Sequence, residues 1–121
     1  TEEQLKLLQK GYDIQEIKIP ASSVSQWVND TVKVGTGKVY LVALNRGGNL
    51  EVNLQPNAPG IRLAIYPPKD SKKSRSLLPS PYDTNWRGIL EDSGYYELTV
   101  VCDTSQPISY ELKLTRSPRD F

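Results

Sequence analysis

Apolar and polar residues alternate with a period of two along most of this chain, and no other feature constrains its fold as strongly. The clearest run is the set Tyr96, Leu98, Val100 and Cys102, which alternates with the residues between them. Successive side chains of a β-strand point to opposite faces of a sheet, so this spacing predicts strands with one buried face. Similar spacing recurs along the chain, in residues 14–19, 31–34, 40–44, 50–54, 61–65, 86–90 and 110–114.

Turn-forming residues separate these runs at the spacing typical of a β-sandwich. The clearest turn is Asn45-Arg46-Gly47-Gly48, which lies between two alternating runs and predicts a β-hairpin. Each sheet then hides its apolar face against the other sheet. The sequence therefore predicts an all-β fold, an antiparallel β-sandwich of seven or eight strands in one domain at residues 12–116, with a tail at residues 117–121.

The alternation also assigns residues to the interior. Cys102 alternates with the core set, so we expect it to be a small buried hydrophobe. Residues 69–82 instead combine basic residues, serines and prolines, a composition that predicts a long mobile loop. We expect one residue from each of five runs to share a common core, namely Tyr40, Val52, Ile65, Leu98 and Leu112.

The first eleven residues depart from the period of two. Thr1 and Gln4 have the spacing of a helix capping box, and Leu5 and Leu8 are three apart, so they share one helical face. Two interpretations of residues 1–11 stay open, a short N-terminal helix that docks on the domain and the remnant of a linker. The sequence contains no Met, so we expect the chain to be a processed or truncated product of a longer reading frame.

The composition excludes most enzyme chemistry. The chain has 121 residues, no His and one Cys, with 15 basic and 14 acidic side chains that give a net charge of +1. Without His it lacks the commonest general base, and every catalytic triad that needs His is excluded. The adjacent carboxyl groups of Glu91 and Asp92 do not supply the separated pair of a glycosidase. We therefore expect a protein that is not an enzyme and needs no cofactor.

Charge and hydropathy also limit the classes of molecule that this chain can be expected to bind. The near-neutral balance argues against binding to a phosphate backbone, so we expect no nucleic-acid partner. No stretch approaches the roughly 20 consecutive apolar residues of a transmembrane helix. A single Cys forbids an internal disulfide. These features favour a domain that works by contact with another molecule.

Several motifs follow one another in an order seen in a known family. They are Tyr40-Leu41-Val42-Ala43-Leu44 with Gly47 and Leu50-Glu51-Val52, Leu63-Ala64-Ile65-Tyr66-Pro67, Trp86-Arg87-Gly88-Ile89-Leu90, Ser93-Gly94-Tyr95-Tyr96-Glu97-Leu98-Thr99-Val100 and Ser109-Tyr110-Glu111-Leu112-Lys113-Leu114. This order resembles that of bacterial pre-peptidase C-terminal (PPC) domains, together with the related inhibitors of goose-type lysozyme. The resemblance implies a jelly-roll-like, non-catalytic β-sandwich that is exported to the periplasm or the outside.

The sharpest local motif is Ser93-Gly94-Tyr95-Tyr96. One interpretation is a hairpin turn in which Gly94 takes a positive φ and Tyr96 begins a core-facing strand. The resemblance to lysozyme inhibitors offers a second, a protruding loop that inserts Ser93 and a tyrosine into the cleft of a partner. Tyr95 then either anchors that contact or covers a neighbouring strand.

A basic run forms the second candidate site. Lys69, Lys72, Lys73 and Arg75 are accompanied by one acidic residue, Asp70. The run is either an electrostatic patch for an acidic partner or a solvated loop that keeps the domain in solution. Lys72, Lys73 and Arg75 therefore join Ser93, Gly94 and Tyr95 as candidate partner-binding residues.

The two tryptophans are candidates for ligand stacking. Trp86 lies in an alternating run, which favours a position in the core over a binding surface. Trp27 lies beside polar residues and either caps the edge of the sandwich or belongs to a surface patch. Its role stays open.

A metal site would need oxygen ligands from distant loops. Calcium takes six to eight oxygens, and no stretch has the acidic alternation of a calcium loop. The resemblance includes calcium-binding relatives, whose dense carboxylate cluster is missing from the first strands here. A weak calcium site is the alternative to no metal, with ligands drawn from Asn29, Asp30, Asp83, Asn85 and Asp92.

Three functions follow from these features. The leading hypothesis is a non-catalytic binding or accessory module of an exported bacterial protein, which contacts a protein or cell-envelope partner through its loops. The first alternative is a free-standing periplasmic inhibitor of a lysozyme-like hydrolase that uses the loop from Ser93 to Tyr96. The second alternative is a calcium- or sugar-binding accessory module.

Overall fold

Eight β-strands make up the regular structure of the described chain. The computed structural model describes residues 12–19, 25–33, 35–56, 60–69, 71, 75–80 and 83–117. The expected N-terminal helix or linker at residues 1–11, and the candidate residues Lys72 and Lys73, lie outside the described residues. The strands are β1 (Tyr12–Ile17), β2 (Ser25–Val32), β3 (Gly37–Leu44), β4 (Asn49–Gln55), β5 (Ile61–Tyr66), β6 (Asn85–Ile89), β7 (Gly94–Cys102) and β8 (Ile108–Ser117).

The strands form two four-stranded sheets that face each other. The first sheet has the order β1-β3-β7-β5, and the second has the order β2-β8-β4-β6. Neighbouring strands are antiparallel except β1 and β3, which pair in parallel from Tyr12 with Gly37 to Ile17 with Val42. The fully antiparallel expectation was wrong at this pair. The chain leaves β1 for β2 in the other sheet and returns as β3, so β3 runs in the same direction as β1.

The interior is filled by the inward-facing residues of both sheets. The five residues expected in a common core, Tyr40, Val52, Ile65, Leu98 and Leu112, each expose 1 % or less of their surface. Cys102 is also buried, as its place in the alternation predicted. Burying a large aliphatic side chain stabilises a fold by about 1.5–3 kcal/mol, so these residues supply the main driving force for sheet packing.

Two strands of the second sheet, β2 and β8, are longer than the sequence indicated. β2 was expected only at residues 31–34, yet it begins at Ser25, because its backbone pairs with β8 from Thr115 to Ile108. The first part of β2 is rich in polar residues, so hydrophobic alternation did not predict it. β8 continues through Ser117, which pairs with Asn49. The predicted domain boundary at residue 116 lies within one residue of the end of β8, and residues 118–121 of the predicted tail lie outside the described residues.

Part of the expected mobile loop is fixed against β5. The backbone N–H of Leu77 donates to the carbonyl of Ile65 at 2.7 Å, and the N–H of Ile65 donates to Ser76 Oγ at 3.1 Å. Leu78 is buried. These contacts hold residues 76–78 along the edge of β5. Burial of the two adjacent leucines, Leu77 and Leu78, stabilises this position, whereas the flanking polar residues stay hydrated. In the part of the chain that is described, no helix has the length and apolar character to cross a membrane.

Candidate partner-binding site at one end of the sandwich

Three turns meet at one end of the sandwich, which we call the front end. They are residues 45–48 between β3 and β4, residues 67–69 after β5, and residues 90–93 between β6 and β7. The strand registers bring them together, because Leu44 pairs with Gly94 and Asn49 pairs with Ile89. The Ser93-Gly94-Tyr95 motif lies at this end. The opposite end carries the β2–β3 and β7–β8 turns.

Backbone hydrogen bonds join two of the front-end turns. Gly47 N–H donates to the carbonyl of Leu90 at 2.9 Å, and Leu90 N–H donates to the carbonyl of Gly48 at 2.9 Å. Ser93 Oγ accepts a third bond, from the N–H of Arg46 at 2.8 Å. These bonds connect residues more than 40 positions apart in sequence. They fix the position of Ser93 relative to the β3–β4 turn.

Gly94 is placed where a larger residue would not fit. Its φ is +139°, in a region that residues with a Cβ atom rarely adopt. A Cβ atom at this position would lie 3.1 Å from both Cβ and Cγ of Pro68. The prediction that Gly94 takes a positive φ is therefore confirmed. A side chain at position 94 would therefore press on the segment that follows β5.

Tyr96 supports the turn from inside the protein. Its side chain is 1 % exposed, and its hydroxyl donates to the carbonyl of Asp92 at 2.7 Å. The same oxygen accepts from the N–H of Asp92 at 3.3 Å. Burial raises the pKa of the Tyr96 phenol above its usual value. Ser71 Oγ donates to Asp92 Oδ2 at 2.7 Å, which holds Asp92 from the other side.

Tyr95 projects outward from this supported turn. It lies on the outer face of the first sheet, opposite Ala43 of β3, and 52 % of its surface is exposed. The small side chain of Ala43 leaves the ring largely uncovered. The motif thus combines an anchored Ser93, a Gly94 with positive φ and an exposed aromatic ring, which is the geometry of a preformed contact point.

The described residues of the basic run lie in two places. Lys69 belongs to the front-end turn at residues 67–69, whereas Arg75 lies away from it. Arg75 is exposed and lines a groove of about 430 Å³ on the outer face of β5 and β7, beside Thr99 and Val101. Thr99 is five residues along β7 from Gly94, which corresponds to about 16 Å of extended chain. Arg75 and Tyr95 therefore occupy different parts of the first sheet.

The two tryptophans have different environments. Trp86 is half-buried and packs against the core cluster, as its alternating run predicted. Trp27 is 51 % exposed on the outer face of the second sheet. The ammonium group of Lys113, its cross-strand neighbour, lies 5.1 Å from the centre of the Trp27 ring. Of the two interpretations of Trp27, the structure favours a surface patch.

The candidate calcium ligands are spread over the molecule. Among the described residues, no three side chains of His, Cys, Asp or Glu form a group that could hold a metal ion. Asp30 lies 3.5 Å from Lys38 Nζ, Asp83 accepts from the N–H of Ser80 at 3.0 Å, and Asp92 accepts from Ser71. Asn29 and Asn85 are exposed on β2 and β6, on opposite edges of the second sheet.

Arg46 and Pro68 were missing from the candidate residues. Arg46 contributes its backbone N–H, and Pro68 occupies the space beside Gly94 that a larger side chain would need, so neither role depends on a distinctive side-chain chemistry. The hairpin turn at residues 45–48 was predicted from the sequence. Its contact with Ser93 was not predicted, because Arg46 and Ser93 are 47 positions apart. Only the pairing of β3 with β7 brings the two turns together.

Comparisons with solved structures identify the fold. No family model matches the chain, and no curated protein sequence matches it significantly. The structure of PliG from Aeromonas hydrophila, a periplasmic inhibitor of g-type lysozyme, matches with a TM-score of 0.71 and 14 % identity, over 88 % of this chain and 100 % of that chain. PliG from Salmonella Typhimurium matches with a TM-score of 0.64 and 16 % identity, over 87 % and 98 % of the two chains.

A second kind of protein shares the same architecture. The pre-peptidase C-terminal domain of a collagenase from Bacillus anthracis matches with a TM-score of 0.59 and 13 % identity, over 86 % of this chain and 96 % of that domain. Identities this low carry information about fold and not about function. The resemblance seen in the sequence motifs is therefore confirmed as a structural one, and this chain has the β-sandwich fold that PPC domains share with the inhibitors of g-type lysozyme.

Proposed function

We propose that this chain is a non-catalytic binding module of an exported protein, and that it contacts a protein partner with its front end. The observation that carries the proposal is the preformed loop in which Ser93 and Gly94 are fixed while Tyr95 is 52 % exposed. An ordered aromatic residue loses little conformational entropy on binding, so it can contribute strongly to affinity.

The absence of an enzymatic role is supported by the residues. The full sequence contains no His, so the chain lacks the commonest general base. An exported, periplasmic or extracellular location is supported by the similarity to the two PliG inhibitors, which are periplasmic proteins. Binding then requires no cofactor, and the loop acts through shape and contact.

A sharper form of the proposal is inhibition of a g-type lysozyme. The observation that favours it is the extent of the match, because the fold of this chain accounts for 100 % and 98 % of two inhibitors of that enzyme class. In this form of the proposal Tyr95 and Ser93 enter the substrate cleft and exclude the glycan chain. The accessory-module hypothesis differs from it, because the same loop then contacts a neighbouring domain or an envelope protein.

An inhibition assay tests the proposal. The purified chain is titrated against a g-type lysozyme, together with Tyr95→Ala and a matched control, Trp27→Ala. Both substitutions remove a side chain that is about half exposed, but they lie on different sheets. We expect Tyr95→Ala to weaken inhibition at least about tenfold, as for an interface hot spot, and Trp27→Ala to leave it unchanged.

The outcomes separate the two forms of the proposal. Absence of inhibition by the wild-type chain would exclude the lysozyme form and leave the accessory module. In that case a photo-crosslinking amino acid is placed at position 95 and the chain is incubated with an envelope extract. The protein that becomes crosslinked is the partner of the accessory module. Crosslinks at position 27 and none at position 95 would contradict a front-end contact. Hydrolysis of peptidoglycan by the chain alone would overturn the non-catalytic assignment.

A further inference from the structure

The outer face of the second sheet carries a polar groove that the front-end site does not use. Trp27, Asn29 and Thr31 alternate on β2 with inward-facing residues, so their side chains share the outer face. Their register partners on β8 are Lys113, Glu111 and Ser109. We call this surface the indole groove, defined by these six residues and by Gln55 of β4.

Trp27 forms an aromatic platform at one end of the groove. It is 51 % exposed, an unusual position for the largest apolar side chain in a strand. The Lys113 ammonium group lies 5.1 Å from the ring centre and interacts with the electron-rich face of the indole. This contact holds the ring in place while half of the residue stays accessible.

The rest of the groove is a shallow depression that combines polar and apolar walls. It has a volume of about 620 Å³ and is lined by Asn29, Asp30, Thr31, Gln55, Pro56, Ser109, Tyr110 and Glu111. Thr31 Oγ1 and Ser109 Oγ are 3.0 Å apart and hydrogen-bonded, and Asp30 Oδ1 accepts from the N–H of Thr31 at 2.7 Å. From Trp27 to Thr31 the groove extends over about 13 Å of strand.

The chemistry of these walls selects among ligand classes. Amides, hydroxyls and a carboxylate supply donors and acceptors in a row, and the aromatic ring supplies one flat apolar surface. Asp30 and Glu111 oppose an anionic ligand. A protein partner would need about 800 Å² of contact with an apolar centre, whereas Trp27 is the one large apolar side chain among the residues that define the groove.

A neutral sugar chain matches this arrangement. A pyranose ring presents aliphatic C–H groups on its face and hydroxyl groups around its edge, so it can stack on an indole and bond to amides and carboxylates at the same time. We propose that the indole groove binds a neutral oligosaccharide, with one ring on Trp27 and the following units along Asn29, Glu111 and Gln55.

The indole groove is independent of the front-end site. Trp27 belongs to β2 in the second sheet, and Tyr95 belongs to β7 in the first. A ligand in the groove therefore leaves the front end accessible. In a binding module this arrangement would hold the chain on a glycan surface while the front end contacts its protein partner.

Titration with defined oligosaccharides tests the inference. The probes are cellotetraose and chitotetraose, which are neutral, and a hyaluronan tetrasaccharide, which is acidic. Binding is followed by calorimetry and by tryptophan fluorescence, to which Trp27 and Trp86 both contribute. We expect saturable binding of at least one neutral probe, and a loss of at least about tenfold in affinity for Trp27→Ala. Tyr95→Ala is the matched control and should bind as tightly as the wild type.

Two further variants keep the test independent of the tryptophan. Gln55→Ala and Asn29→Ala remove exposed polar groups, so they should retain the thermal midpoint of the wild type and bind several-fold more weakly. Absence of saturable binding by both neutral probes, or equal affinity of wild type and Trp27→Ala, would overturn the inference. Tighter binding of the acidic probe would overturn the assignment to neutral sugars. Each result is separate from the inhibition assay, which depends on Tyr95.

Discussion

The hydroxyl groups of Tyr40 and Tyr110 are hydrogen-bonded to each other across the two sheets. Tyr40 belongs to β3 of the first sheet and Tyr110 to β8 of the second, and their exposed fractions are 1 % and 4 %. Each phenol thereby satisfies the polar group of the other inside an otherwise apolar core. Nearby, Lys38 of β3 pairs with Asp30 of β2 at 3.5 Å, a second polar link between the sheets.

Removal of both phenolic oxygens should destabilise the protein by less than the sum of the two single removals. Tyr110→Phe leaves the buried Tyr40 hydroxyl without its partner, and such a loss costs about 1–3 kcal/mol. In the double variant Tyr40→Phe/Tyr110→Phe no polar group is stranded, so the total cost should be smaller than the sum of the single costs. Urea denaturation of the four proteins measures this coupling, and strictly additive losses would contradict it.

Stability should fall at alkaline pH. Burial raises the pKa of the Tyr40 and Tyr110 phenols, and for Tyr110 the bond to Tyr40 raises it further. The unfolded chain then releases these protons near pH 10 while the folded chain retains them, so the free energy of unfolding decreases above about pH 10 and is unaffected below about pH 9.

The double phenylalanine variant is the control for this titration. It should lose free energy less steeply above pH 10 than the wild type. Part of the slope should remain, because the pKa of Tyr96 is raised by burial and that of Lys38 by its hydrogen bond to Asp13. Identical profiles for wild type and double variant would show that the pair does not titrate in this range.

Gly94→Ala should disturb the front end through both backbone and contact. The new Cβ atom would require an unfavourable φ of +139° and would lie 3.1 Å from Pro68, for an expected cost of about 1–3 kcal/mol. Gly35→Ala is the control, because its φ is +75° and nothing lies within 4 Å of the added atom. Thermal denaturation should place Gly94→Ala below Gly35→Ala, and the reverse order would contradict the tight contact.

Ser93→Ala should affect partner binding more than stability. It removes the acceptor for the Arg46 N–H, a partly solvated bond whose loss costs about 0.5–1.5 kcal/mol. The loop then samples other conformations, so affinity for the front-end partner should fall while the thermal midpoint changes little. Ser105→Ala, at the opposite end, is a control for both readouts. An unchanged affinity would show that Ser93 does not position the loop.

Chelation should leave the fold unchanged. Asp30, Asp83 and Asp92 each have a partner within the protein, so the described structure does not depend on a cation to neutralise them. We expect the thermal midpoint to be the same in EDTA and in millimolar calcium. A rise with calcium that saturates would instead indicate a bound ion, since a ligand stabilises the state that it binds.

Much of the sandwich could be predicted because its strands bury one face. Leu98 and its neighbours on β7 alternate strictly, and their burial follows directly from a pleated strand between two layers. The prediction of β2 was incomplete because backbone hydrogen bonds pair this strand with β8, and polar residues form such bonds as well as apolar ones. The parallel pairing of β1 with β3 was also missed, because alternation has the same appearance in either direction.

The candidate site also has features that could be predicted from the sequence and features that could not. The positive φ of Gly94 and the opposite orientations of Tyr95 and Tyr96 could be predicted, because both properties depend only on neighbouring residues. Three relationships follow instead from the packing of the sheets: Arg46 bonds Ser93, Pro68 lies where a Cβ atom of residue 94 would meet it, and Trp27 shares an outer face with an open groove. These relationships join residues far apart in the chain, and their energies exist only after the two sheets have paired and packed.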